Sequence, residues 1–411
     1  MGLQLILGNS GAGKSHYIFE KIIEESMQHP RKQFLVIVPE QFTMQTQKDL
    51  VMMHPRHGIR NIDVLSFERL AHRVFDETGA EHRRVLEDTG KNLILRRLAE
   101  EKKEELTLLG GNLKKLGYIS ELKSLISEFT QYRIQPEQLE QMMEQNQGNP
   151  QLYYKLKDLK VIYDSFRSYL EDTYLTAEEL LEALEKTVDQ SEIVKGSVLV
   201  LDGYTGFTPV QMHLLRQLLQ LAEEVYVTLT MDGSEKPFVM DAEYQLFHMT
   251  KQTIAGLARL ADESRVEVRP PVIFSDAGNK RYRNAPALQF LETHIFRYGK
   301  EFWGDDTEEV QLHTMRTPRA EAEAIGREIQ RLVRDRGYRY RDMAVVTGNP
   351  EVYGPLLEQV FSQFEIPGFI DQKKDVLKNP FIEFLRALTA CIQEDLSYEA
   401  VFRPRRSTRL P

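Results

Sequence analysis

The sequence predicts an α/β protein built on a parallel sheet, and three observations carry that prediction. Short runs of consecutive apolar residues alternate with stretches of helical periodicity. The first apolar run breaks into a glycine-rich octet that opens a helix. A long, purely helical stretch then separates the first strands from those that follow. The expected architecture is a P-loop sheet with a helical insertion, followed by an incomplete second α/β domain.

Leu3, Leu5, Ile6 and Leu7 suit one buried strand. The octet follows as Gly8, Asn9, Ser10, Gly11, Ala12, Gly13, Lys14 and Ser15, which fits G-x-x-x-x-G-K-[ST] without mismatch. Tyr17, Ile18, Ile22 and Ile23 then mark one apolar helix face, so strand, loop and helix stand in P-loop order. Glycines let the backbone N–H groups turn inward around phosphates, and the helix N-terminus adds partial positive charge. Lys14 is expected to reach the β- and γ-phosphates, and the Ser15 hydroxyl to ligate Mg²⁺, so ATP and Mg²⁺ are the expected cofactors.

The second strand is expected at Phe34–Val38, closed by Pro39 to Thr43. A third spans Asn61–Phe67 and runs into a helix through Leu70, Ala71, Val74 and Phe75. These complete the first part of the P-loop domain, residues 1–84. From 85 to 194 the apolar residues recur at helical spacing, among them Leu93, Leu98, Leu116, Leu122, Ile126, Leu159 and Phe166, which reads as a helical insertion. Several tyrosines lie in these stripes, and base stacking cannot be told from packing there by spacing alone.

The α/β pattern returns over 195–290. Ser197–Leu201 is a buried strand ending in Asp202, then come a helix through Met212 and Leu219 and a strand at Val225–Leu229. An apolar strand capped by Asp, in a chain that has a P-loop, is a Walker B arrangement in which Asp202 holds Mg²⁺ or its water shell beside Ser15. Residues 265–283, broken by Pro270-Pro271, read as a surface connection. Residues 291–400 read as the start of the second α/β domain, with strands at Val310–His313 and Met343–Thr347, helices at Arg319–Arg334 and Tyr353–Phe364, and a helical pattern from Pro380 to Ala400. The last stretch, 401–411, carries four arginines and two prolines. It reads as a truncated or frame-altered end, with a basic tail for nucleic acid as the alternative.

Composition fits a globular protein, with 41% hydrophobic and 28% charged residues. No run of about 18 apolar residues is present, so no membrane span is expected. The single cysteine, Cys391, excludes an internal disulfide framework and a multi-cysteine metal site within these residues. A cytoplasmic location is expected. The net charge of −9 gives no global signature of nucleic-acid binding, although a local basic groove is compatible with it.

The order of these motifs resembles a known family. Val38-Pro39-Glu40-Gln41, then Leu65-Ser66-Phe67-Glu68-Arg69-Leu70, then Leu201-Asp202-Gly203-Tyr204-Thr205-Gly206-Phe207-Thr208-Pro209-Val210-Gln211 look like a superfamily 1 helicase. They look most like the B subunit of the AddAB-type ATP-dependent helicase–deoxyribonuclease, over nearly the whole chain to about Ala400. That resemblance implies processing of DNA double-strand ends for recombinational repair and a heterodimer with a motor and nuclease A subunit. It also implies a C-terminal nuclease region with a four-cysteine 4Fe–4S cluster, which Cys391 alone cannot build. This polypeptide then reads as an N-terminal fragment without nuclease chemistry of its own.

Two departures from an active motor matter. The helicase family has Glu after the Walker B Asp, and here Gly203 stands in that place. Its phosphate-contacting Arg of the second domain aligns with Gly348. The resemblance therefore implies nucleotide binding with little or no turnover, and no catalytic residue is assigned. Three other readings stay open on the sequence: an active superfamily 1 motor with its base relocated to Glu40 or Glu68, a P-loop kinase of small molecules, and a scaffold with a vestigial P-loop.

Overall fold

The first strand, β1 (Gly2–Gly8), shows how the sequence divides its apolar residues between two faces. Leu3, Leu5 and Leu7 point to one side and Ile6 to the other, as the two-residue period of a strand requires. This computed structural model describes residues 1–81, 83–112, 116–171, 173–274, 280–297, 299–371, 376, 379–399 and 401. They fall into two compact units, Met1–Asp305 and Asp306–Pro411.

In the first unit β1 leads through α1 (Lys14–Gln28) to β2 (Phe34–Ile37), α2 (Thr43–Met53), β3 (Ile62–Leu65) and α3 (Phe67–Thr78). The insertion follows as β4 (Arg84–Val85), α4 (Asp88–Glu101), α5 (Leu116–Gln131), α6 (Pro136–Gln145), α7 (Pro150–Leu170), β5 (Tyr174–Leu175) and α8 (Ala177–Thr187). The sheet resumes with β6 (Val198–Leu201), α9 (Pro209–Leu221), β7 (Glu224–Thr230), α10 (His248–Glu263), β8 (Glu267–Val268) and β9 (Val272–Ile273), and α11 (Pro286–His294) comes after it. The strand order is β3-β2-β6-β7-β1-β8, with β9 also on β1, and every pairing is parallel.

Both faces are covered, which is why these strands read as unbroken apolar runs. One face carries Leu35, Ile37, Leu199, Leu201, Val225 and Val227 under α3, α8, α9 and α10. The other carries Phe34, Val36, Val198, Val200 and Tyr226 under α1 and α2. The insertion has its own core, built from Leu95, Leu98, Ile119, Leu122, Ile126, Leu159, Ile162 and Phe166. Its two ends meet where β4 and β5 pair. Helix α8, expected inside the insertion, instead buries Leu180 and Leu184 in the sheet's core.

Two expectations need correction. Residues 265–283 are not simply a surface connection, because β8 and β9 add to the sheet along β1, with Arg269 N–H donating to Leu3 O and Phe274 N–H to Leu7 O. Pro270 and Pro271 have no N–H to give a ladder, so they cut this edge into two short pieces and disguise it. In the second unit the described residues form α12 (Pro318–Arg336), α13 (Pro350–Gln363) and α14 (Pro380–Gln393), with no strand. The strands expected at Val310–His313 and Met343–Thr347 find no partner there, so nothing satisfies a ladder, and Val346 is 92% exposed. The start of an α/β domain is thus helical as described. The helical pattern from Pro380 also stops at Gln393, where Asp395 and Leu396 turn with positive φ. Cys391, expected in a core, is half-buried. Phe402–Pro411 lies outside the described residues.

Candidate functional site

The carboxyl ends of the parallel strands converge on one edge of the sheet, where ligands of such folds bind. The octet runs from the end of β1 into α1. Gly13 takes the N-cap position with φ 100°, a left-handed conformation that a side chain would strain. The first turn of α1 has neither a side-chain cap nor an acidic residue. Its N–H groups and the positive end of its dipole are therefore left for an external anion.

Lys14 folds back over the loop, its Nζ donating to Gly8 O at 2.8 Å and Asn9 O at 2.9 Å. Burial pushes its ammonium below the ordinary lysine range, Asp202 opposes that, and Arg281 adds to it. Asp202, at the end of β6 and 8% exposed, accepts through Oδ1 from Ser15 Oγ at 2.9 Å and from Thr228 Oγ1 at 2.5 Å. The register sets this up: Leu201 pairs with Val227, so β7 delivers Thr228 beside the end of β6. Asp202 and Ser15, far apart in sequence, are thus brought together as expected.

An oxygen-only pair of hydroxyl and carboxylate matches the hard ligands Mg²⁺ takes, with phosphates and water supplying the others. Among the described residues no cluster of three or more His, Cys, Asp or Glu could hold a metal by itself. The open cleft here measures about 400 Å³ and is lined by Ser10, Gly11, Gly13, Lys14, Ser15, His16, Asp202, Gly203, Tyr204, Thr205, Thr228, Thr230 and Arg281. Gly8, Asn9 and Ala12 form the loop's other positions, with Asn9 1% exposed.

Neither relocated base lines this cleft. Glu40 receives two hydrogen bonds from Arg69, at 2.7 and 3.0 Å. Ser66 and then Arg69 hold its carboxyl below the ordinary range, so it is committed to an ion pair. Glu68 lies exposed in the first turn of α3. Burial pushes the Tyr204 hydroxyl well above its usual range, which leaves it a neutral ring packed on Phe67 and Phe207. Gly348 belongs to the second unit, just before Asn349, the N-cap of α13.

Four residues escape a sequence reading. Thr228 is a lone polar residue inside an apolar strand, a signal that could have been used. Asp232 follows β7 as Asp202 follows β6. It accepts from Ser234 N–H and Oγ, both at 2.8 Å, and from Arg297 Nη2 at 2.7 Å. Burial alone would raise its carboxyl, but Ser234, Arg297 and a hydrogen bond from Asn9 hold it below the ordinary range. The loop is thereby tied to the end of β7 and to Arg297. Arg281 and Arg297 carry no local signature at all.

Curated relatives match along nearly all of these residues, and each is named as the B subunit of an ATP-dependent helicase/deoxyribonuclease. The protein of Lachnoclostridium phytofermentans is 44% identical over 406 residues, and that of Acetivibrio thermocellus 32% over 406. One from Bacillus cereus is 34% identical over 412 aligned positions. Each alignment covers 98% of this chain but 35% of the relative, so the chain spans about a third of the length of the proteins it matches. Among the described residues no helix is long and apolar enough to cross a membrane. A family profile described as ADDB, N-terminal, matches residues 5–292, taking in the octet, the insertion, Asp202 and Arg281 as one piece. The chain belongs to that family, the N-terminal region of AddB.

Proposed function

We propose that this chain binds ATP with Mg²⁺ at Gly8–Ser15 and Asp202, as the nucleotide-binding, non-motor part of a P-loop, superfamily 1 helicase-like protein. The observation that carries the reading is the Asp202 carboxylate, shared by Ser15 and Thr228 beside an uncapped helix start and followed at once by a glycine. When bound, Mg²⁺ would neutralise phosphate charge. Ser15 and Asp202 would hold it, while Lys14 and the loop N–H groups bind the phosphates. Gly203 offers no side chain to orient a water, and Glu40 is engaged by Arg69, so binding without turnover is the behaviour this arrangement supports.

The longer relatives' names support a role in a heterodimeric helicase–deoxyribonuclease acting on DNA ends for repair, in the cytoplasm and with an A subunit as partner. The 4Fe–4S cluster and nuclease of the full-length protein would lie outside these residues. Titration calorimetry tests the core of this reading. ATP·Mg²⁺ should bind the wild type, and Lys14→Ala should weaken it by roughly 1–3 kcal/mol, the scale of a lost charge-assisted contact. Equal affinity of the two proteins refutes the site. Rapid single-strand-stimulated ATP hydrolysis, abolished by Lys14→Ala, refutes the non-motor half.

A further inference from the structure

The cleft contains one cation that belongs to no P-loop pattern. Arg281 sits in the 3-10 turn Lys280–Tyr282, which precedes α11. Its guanidinium packs directly on Gly11, and its Nη1 donates to Ser10 Oγ at 3.2 Å. Gly11 has φ 81°, and any Cβ there would collide with the Arg281 guanidinium. The glycine thus serves both the left-handed turn and the close approach of this arginine.

The charges around the loop do not balance on their own. Lys14, Arg281 and the start of α1 face the single carboxylate of Asp202 within one cleft. The two cations repel each other, as the lowered Lys14 ammonium reflects. A polyphosphate would remove that repulsion and receive both cations. Arginine suits the part, because its planar fork of N–H donors matches two phosphate oxygens at once.

We propose that Arg281 is a phosphate-contacting residue of this site, delivered to the P-loop from the turn before α11, with nucleoside polyphosphates as its ligand class. The inference rests on the nucleotide-binding reading above.

The test is displacement of a fluorescent ATP analogue from the full chain by ATP and by inorganic tripolyphosphate. Arg281→Met keeps the aliphatic stem over Gly11 and removes the charge. It should weaken both competitors about 10-fold, with Arg281→Lys falling between it and the wild type. The melting temperature without ligand should stay unchanged in both variants. Wild-type or tighter binding by Arg281→Met, with binding lost in Lys14→Ala, overturns the role of Arg281 and leaves the nucleotide site standing. Equal losses in Met and Lys variants, together with a lowered melting temperature, show a structural residue and also overturn it. A wild type that binds neither competitor overturns the nucleotide site and this inference together.

Discussion

At Gly203 the backbone turns with φ 80°, directly after the carboxylate that accepts from Ser15 and Thr228. A Cβ there would meet Pro39 Cδ at 3.6 Å and Phe42 Cδ2 at 3.7 Å, which is ordinary contact, so the obstacle is conformation and not room. A left-handed L-residue costs about 1–2 kcal/mol. Gly203→Ala and Gly203→Glu should therefore both lose about that much stability in urea denaturation. Gly203→Glu should gain no ATP turnover, since the carboxylate arrives on a strained backbone. The missing base was legible in the sequence, but the strain that bars its return was not. Asp232 offers a pH test at the same scale. Its folded carboxyl titrates below the ordinary 3.8, so its contribution is complete above 3.8 and disappears as pH falls through the lower folded value. Asp232→Asn should cost about 1–2 kcal/mol at neutral pH. Urea denaturation at successive pH values should show the gap to wild type closing in acid, and a gap that persists there contradicts the assignment.

Helix α7 is the spine of the insertion, and its Asp158 is wholly buried. The carboxylate accepts from the backbone N–H groups of Thr107, Leu108 and Leu109, at 2.9, 2.7 and 2.9 Å. It thereby anchors a loop that has no sheet or helix of its own to satisfy those donors. Asp158→Asn keeps one acceptor oxygen and turns an amide group toward the remaining donors. A loss of about 2–3 kcal/mol is expected, the scale of hydrogen bonds to a charged group. Because the insertion has a separate core, hydrogen exchange should accelerate in α7 and at 107–109 while β1 and β6 keep their protection. Periodicity identified the helices here, but not the polar pin, since a single Asp on an apolar stripe looks like a solvated position in sequence.

Across the molecule the two units treat apolar surface differently. The sheet of Met1–Asp305 is covered on both faces, whereas the second unit leaves Val346 92%, Phe369 89%, Phe381 65% and Ile392 83% exposed. A cavity of about 900 Å³ opens beside Val345, Val346, Phe361, Ile366 and Phe369. Such surface promotes association. The chain should therefore bind a hydrophobic dye and sediment partly as oligomers. Phe381→Ser with Ile392→Ser should reduce both without lowering the melting temperature. A compact monomer with no dye binding would contradict this.

Neighbouring residues alone dictate the octet, the central strands β1, β2, β6 and β7, the carboxylate after β6 and the helical character of the insertion. Each is written locally, as a motif or as a period of 2 or 3.6. Long-range packing settled the rest. Two prolines concealed β8 and β9, whose strand character exists only through pairing with β1. The apolar runs at 310–313 and 343–347 lacked such a neighbour and stayed unpaired. Helix α8 joined the sheet because its Leu180 and Leu184 found a better-covered face there than in the insertion. Arg281 and Arg297 reach Ser10 and Asp232 only because β8 and β9 carry the chain back along β1. Arg281 and Ser10 are 271 residues apart, a range over which no local pattern reports what will touch.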